Sequence, residues 1–188
     1  MTIPNLITAI RIVLAPVFVI YLINSQLKAA LVVFLICAVS DGLDGALARV
    51  FNQKSKLGAY MDPLADKLVL VAAFVALSII GILPPWLAVT VIARDMIILL
   101  GIVVLFLNRL EVIIKPSFLG KTTTWAQFVT VLIVLSECYL ASITKLYPYI
   151  FYLTGLLTIS SGLHYIHRGF KIIGEGSSER QGDQGRQI

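Results

Sequence analysis

The sequence predicts an all-α fold, that of a polytopic integral membrane protein with six transmembrane helices and a short N-terminal interfacial lead-in. Three observations carry this expectation. Of 188 residues, 59% are hydrophobic and only 13% charged, with a mean hydropathy of +0.94, the balance of a chain surrounded by lipid. Apolar runs of about 20 residues, enough to cross roughly 30 Å of hydrocarbon, recur along nearly the whole length. The basic residues behind the net charge of +5 lie mostly at the ends of these runs. Such a distribution suits anionic lipid headgroups and argues against nucleic acid, which needs one basic patch. The length fits a single domain. Residues 1–173 form the membrane domain, and the Gly/Ser/Gln/Arg/Glu-rich stretch 174–188 reads as a disordered cytoplasmic tail.

The elements follow in order. Pro4 suits a first helical turn and Asn5 a cap. Asn5, Thr8 and Arg11 then recur every third residue as a polar stripe on an apolar lead-in. The first span covers roughly Ile7 to Ile23 and is retained, because no charged start or small-residue cleavage site marks a signal peptide. Asn24-Ser25-Gln26 is a turn. The second span, Leu27 to Ser40, continues as a helix to Val50, and the third runs from Pro63 through Ile80. Gly81 to Pro85 makes a tight connection to a fourth span, Trp86 to about Leu107, with Trp86 as an aromatic anchor at the interface. Within that span stands Arg94-Asp95, and ionisable residues at such depth face the protein interior. A polar linker from Asn108 to Thr124 leads to a fifth span, Trp125 to Ala141, and a sixth, Tyr147 to Ile166. Cys37 and Cys138 both fall in apolar runs and read as small core residues. His164 and His167, three apart without a third partner, read as interfacial rather than as a metal pair.

The stretch from Ser40 to Lys67 carries the chemistry. Four of the ten acidic residues sit here. At about 100° per residue, Asp41, Asp44, Gly45 and Ala48 share one helix face. Gly58, Asp62 and Asp66, at steps of four, form a second stripe, and the link Asn52 to Lys56 is long enough to turn the chain back. Four carboxylates brought together repel one another, and a hard divalent cation, Mg²⁺ or Mn²⁺, is what most naturally relieves that repulsion. The small residues on the same stripes leave the faces open to a flat ligand or to a neighbouring helix.

The string Asp41-x-x-Asp44-Gly45-x-x-Ala48-Arg49-x8-Gly58-x3-Asp62-x3-Asp66 resembles, at every fixed position, the signature of the CDP-alcohol phosphatidyltransferases: eight identities over 26 residues. The resemblance implies attack of an alcohol on the β-phosphorus of a CDP-linked lipid, CDP-diacylglycerol, with CMP leaving. It implies that Asp41, Asp44 and Asp62 hold the metal, Mg²⁺ or Mn²⁺. Asp66 completes the carboxylate set around the metal and takes the proton of the incoming hydroxyl. Gly45, Ala48, Arg49 and Gly58 cradle the nucleotide. A homodimer is the family's expectation.

Smaller resemblances bear on the acceptor. Gly120-Lys121-x-x-Thr124-x-x-Gln127 is similar to an element of phosphatidylglycerophosphate synthases, which favours glycerol 3-phosphate. Arg94-Asp95, Lys115-Pro116-Ser117-Phe118 and His164-Tyr165-x-His167 look more like eukaryotic-type cardiolipin synthases, whose acceptor is phosphatidylglycerol. An acceptor phosphate needs fixed cations, and Arg94, Lys115, Lys121 and Arg168 are the candidates.

Ten basic residues lie on the motif side of the spans (Arg11, Arg49, Lys54, Lys56, Lys67, Arg109, Lys115, Lys121, Arg168 and Lys171) against Lys28 and Lys145 on the other. The positive-inside rule therefore puts both termini and the motif on the cytoplasmic face of the cell's inner membrane. A different class, a small membrane cation carrier using the four aspartates as its ion site, is the competing reading. The glycines beside the carboxylates, and the lack of acidic residues continuing an ion path through the later spans, argue against it.

Overall fold

A computed structural model describes the backbone of residues 3–51, 56–107, 118–139 and 141–184, and side chains over 12–40, 67–101, 118–137, 139 and 143–169. The described residues form helices joined by short turns, without strands. Six α-helices follow one another: α1 (Ile3–Ile23), α2 (Leu27–Phe51), α3 (Lys56–Ile79), α4 (Pro85–Leu107), α5 (Phe118–Leu135) and α6 (Tyr147–Gln184), with two short 3₁₀ segments, Ser136–Cys138 and Ala141–Leu146, between the last two.

Two of the turns have the same cause. At the end of α1 the Gln26 amide donates to the Tyr21 carbonyl (2.8 Å) and the Ser25 amide to Leu22 (2.9 Å). At the end of α3 the Ile82 amide donates to Leu77 and the Gly81 amide to Ser78, both at 3.1 Å. Each pair of bonds is a Schellman cap, which requires a left-handed residue at its centre. Gly81 supplies it at φ 79° without steric cost, whereas Ser25 adopts φ 57° against the preference of an L-residue.

The helices pack through regular stripes. Leu87 and Val91 on α4, Val69, Ala73 and Leu77 on α3, and Val131, Val134 and Leu135 on α5 are buried at helical spacing. Phe34 of α2 stacks on Phe128 of α5 with ring centroids 5.0 Å apart and leans on Phe18 of α1 at 5.8 Å. Helix α1 packs on α2 and α3, α4 joins α3 to α6, and α5 lies against α6, α2 and α3. Trp86, expected as an interfacial anchor, is 41% exposed and stacks on Tyr152 of α6 at 5.6 Å. Its ring fills the space beside Gly155, where an added Cβ would come within 2.6 Å of Trp86 Cζ3.

Several boundaries differ from those read in the sequence. Residues 118–124, taken as linker, form the first two turns of α5. Three threonines looked too polar for a helix, yet Thr122, Thr123 and Thr124 return their hydroxyls to the carbonyls four residues back, at 3.1, 2.8 and 3.1 Å. Pro63 lies inside α3 rather than at the start of a helix, and Asn5 lies within α1 rather than capping it, while Pro4 falls in its first turn as expected. Helix α6 continues to Gln184, through most of the stretch expected to be disordered. No proline interrupts it there, and Glu175, Glu179, Arg180 and Gln181 are good helix formers.

Among the described residues, Phe118–Leu135 has the length and apolar composition to cross a membrane by itself, and Ile12–Ile23, Leu27–Ser40 and Lys67–Ile79 are shorter apolar stretches. Large apolar side chains are exposed on several helices, including Ile20, Val39, Ile79, Val89, Leu100, Leu156 and Leu163.

Candidate active site

The acidic motif occupies two consecutive helices. Asp41, Asp44, Gly45, Ala48 and Arg49 lie in the second half of α2, and Gly58, Asp62 and Asp66 in the first half of α3. Both stretches are continuously helical, so the i, i+3 and i, i+4 spacings do place each pair of aspartates along one helix face. Their side chains lie outside the described residues, as does the whole of Lys115.

Next to this motif stands an ionic cluster that the sequence only half disclosed. Lys67, the residue after Asp66, projects from α3 and donates to Asp95 Oδ1 of α4. Arg94 Nη1 donates to the same oxygen at 2.7 Å. Arg94 itself is 4% exposed. It extends the buried stripe Leu87–Val91 by one more helical step, so a charge falls where the pattern calls for an apolar residue. The cost of burying it is offset by partners on two further helices. Nη2 donates to the Gly120 carbonyl of α5 at 3.4 Å and to Ser161 Oγ of α6 at 3.3 Å, while Nε reaches the same hydroxyl at 3.4 Å. The guanidinium also lies over the Tyr165 ring, 5.8 Å from its centroid. Gly162, one residue after Ser161, faces the arginine stem: a Cβ there would make ordinary contact, 3.8 Å from Arg94 Cγ.

A row of buried polar side chains continues from this cluster along the α5–α6 interface. Thr123 Oγ1 shares its proton between the Leu119 carbonyl (2.8 Å) and the Leu157 carbonyl of α6 (3.2 Å), Gln127 Nε2 donates to Thr158 Oγ1 (3.2 Å), and the Thr130 and Thr154 hydroxyls meet at 2.7 Å. Helix α5, with Gly120-Lys121 in its first turn, is thereby fixed in register against α6, which carries Arg168. Lys121 and Arg168 are exposed on these two helices.

The expected acceptor cations therefore separate into one buried and hydrogen-bonded residue, Arg94, and two exposed ones, Lys121 and Arg168. Ser161 and the Lys67–Asp95 contact were missed by sequence reasoning. Ser161 was open to detection, because it follows Thr154 and Thr158 on one stripe of α6; Lys67 and Asp95, 28 residues apart, carry no such sign. His164 places its ring 6.4 Å from that of Tyr165, His167 is exposed, and the described residues contain no group of three or more His, Cys, Asp or Glu able to hold a metal. Cys37 is buried in the core, and the Cys138 side chain lies outside the described residues.

The acidic motif thus runs along two consecutive helices of an all-helical fold, and the residue that follows it, Lys67, belongs to an ionic cluster with Asp95 and Arg94. Residues 1–160 match the CDP-alcohol phosphatidyltransferase family. The protein belongs to that family and is a transferase of phospholipid synthesis. Among its relatives, a probable phosphatidylglycerophosphate synthase of Mycobacterium tuberculosis is 33% identical over 184 residues, 90% of this chain and 82% of the relative. The rat cardiolipin synthase (CMP-forming) is 30% identical over 189 residues, 92% of this chain but 63% of the relative. A putative cardiolipin synthase of Mycobacterium bovis is 32% identical over 126 residues, 66% of this chain and 60% of the relative.

Proposed function

We propose that this protein transfers the phosphatidyl group of CDP-diacylglycerol to glycerol 3-phosphate, forming phosphatidylglycerophosphate and releasing CMP. The observation that carries the choice of acceptor is the local structure of Gly120-Lys121-x-x-Thr124-x-x-Gln127. This element forms the first turns of a helix held tightly against α6, with Lys121 exposed. The mycobacterial relative, similar across most of both chains, supports the same acceptor.

In this reading six helices cross the cytoplasmic membrane, the motif faces the cytoplasm, and the enzyme is a homodimer. The donor set, carboxylates alone on two helices, fits a hard divalent cation, Mg²⁺ or Mn²⁺, held by Asp41, Asp44 and Asp62. Such an ion would supply positive charge against the diphosphate of the donor lipid. Gly45, Ala48 and Gly58 leave the helix faces bare beside the cytidine nucleotide, and Arg49 adds a polar contact. Asp66 accepts the proton of the attacking hydroxyl. The hydroxyl oxygen bonds to the β-phosphorus, the bond to the bridging oxygen breaks, and CMP departs with that oxygen. Lys121 and Arg168 are better placed than Arg94 to hold the acceptor's phosphate, since the Arg94 guanidinium is occupied by Asp95, Ser161 and Gly120; Lys115 is the fourth candidate.

The second reading, transfer to phosphatidylglycerol to give cardiolipin, is favoured by the Arg94–Asp95 pair and by the rat relative. Release of CMP from CDP-diacylglycerol by purified protein, with Mg²⁺ or Mn²⁺ or with a chelator, separates the two. Turnover with glycerol 3-phosphate and not with phosphatidylglycerol is expected, and the reverse selects cardiolipin synthesis. No CMP with either lipid precursor overturns both.

A further inference from the structure

The Lys67–Asp95–Arg94 cluster joins four helices at one point. Its members divide in a suggestive way. Lys67 extends from α3, directly after the last aspartate of the motif. Arg94 reaches the opening of α5 through the Gly120 carbonyl and α6 through Ser161, the two helices that present Lys121 and Arg168. Between them stands one carboxylate, Asp95, 11% exposed, whose Oδ1 accepts from both cations. An ordinary surface ion pair contributes little and is indifferent to geometry. Here one partner is almost fully buried, two charges converge on a single oxygen, and the other donors of the arginine are used to hold neighbouring helices.

We propose that Asp95 is a positioning residue: it fixes the helix that ends the acidic motif relative to the helices that present the acceptor's cations. This inference rests on the transfer reaction proposed above and deepens it. CDP-diacylglycerol is bound by the α2–α3 half, the alcohol by the α5–α6 half, and Asp95 sets the span between them through Lys67 on one side and Arg94 on the other. Asp95 touches neither substrate. Replacing it leaves each half intact but lets the two shift, and in-line transfer is sensitive to displacements of about 1 Å, which cost up to about a hundredfold in rate.

The experiment is steady-state kinetics of Asp95→Asn, Asp95→Glu, Lys67→Met and the double variant Asp95→Asn/Lys67→Met, with both substrates varied and thermal unfolding in detergent recorded alongside. A positioning role predicts that Asp95→Asn raises the acceptor KM and lowers kcat, together by roughly tenfold to a hundredfold in kcat/KM, while the KM for CDP-diacylglycerol stays near wild type. Asp95→Glu, which keeps the charge, recovers a large part of the loss, and adding Lys67→Met to Asp95→Asn costs little more, because one link has already been cut. A merely structural role lowers the active fraction and the unfolding temperature and leaves both KM values alone; that outcome overturns the proposal. So does additivity of the two single variants. If Asp95→Asn does not fold, Asp95→Glu and Lys67→Met decide between the same two patterns. A wild-type enzyme that releases no CMP with any alcohol overturns the transfer reaction itself, and the positioning role with it.

Discussion

The meeting of Thr130 and Thr154 makes a sharp prediction because the direction of its proton is fixed. Both residues are buried, at 0% and 2% exposure, and their hydroxyl oxygens stand 2.7 Å apart. Thr130 also lies 2.8 Å from the Ala126 carbonyl, which has no proton to give. The single Thr130 proton therefore goes to Ala126, and Thr154 donates to Thr130. Thr130→Val keeps the shape but strands the Thr154 O–H, whereas Thr154→Val removes a donor and leaves Thr130 still bonded to its own helix. Losing a buried partner costs about 1–3 kcal/mol, and hydrogen bonds between membrane helices contribute on average about 0.6 and at most about 1.7 kcal/mol. Thr130→Val is therefore expected to cost about 1–1.5 kcal/mol and Thr154→Val about half of that. The double variant, with no stranded hydroxyl, should match Thr154→Val rather than the sum. Thermal unfolding in detergent reads this as a fall of roughly 2–4 °C per kcal/mol for a chain of this size. Equal losses from the two single variants, or a double variant at their sum, would refute the assigned direction of the bond.

Three further predictions concern other regions. Gly155→Ala drives a Cβ against Trp86 and should cost about 1–3 kcal/mol as an overpacked contact, with a shift in Trp86 fluorescence in a Trp125→Phe background as the Tyr152 stack opens. Ser25→Gly removes the left-handed strain at φ 57° and should stabilise by about 1 kcal/mol, while Gly81→Ala should destabilise by a similar amount at φ 79°. Lys121→Met, tested by CMP release, should raise the KM for glycerol 3-phosphate by about tenfold or more, the value of a charge-assisted hydrogen bond, without changing the unfolding temperature.

Much of the architecture was legible because hydrophobic periodicity and turn chemistry are local. The start of α2 at Leu27 and of α4 at Pro85 follow from Asn24-Ser25-Gln26 and from Gly81 to Pro85, short polar or glycine-bearing breaks between apolar runs. The motif helices were legible for the same reason: repeats of three and four residues between aspartates make sense only on a helix. The start of α5 was not, since Gly120-Lys121-Thr122-Thr123-Thr124 has the composition of a loop. Its hydroxyls are satisfied by carbonyls one turn back, so the threonines can sit in a helix whose place is set by packing against α6. The site was legible as a set of residue types and illegible as a geometry. Arg94 and Asp95 stood out as charges within an apolar span, but which helices they would face depends on helix rotation. In the sequence Lys67 is only a basic residue at the end of a span, and its contact with Asp95 comes from the packing of α3 on α4.

The proposed transfer chemistry rests on the two acidic stripes, with Asp66 proposed as the group that takes the hydroxyl proton. The direct measurement is a comparison of wild type with Asp66→Asn for two quantities: CMP release from CDP-diacylglycerol with glycerol 3-phosphate, and binding of CDP-diacylglycerol in the presence of Mg²⁺ or Mn²⁺. The account predicts that turnover disappears while metal-dependent binding stays close to wild type. Turnover near the wild-type rate would contradict it, and loss of binding along with turnover would move Asp66 from proton acceptor to metal ligand.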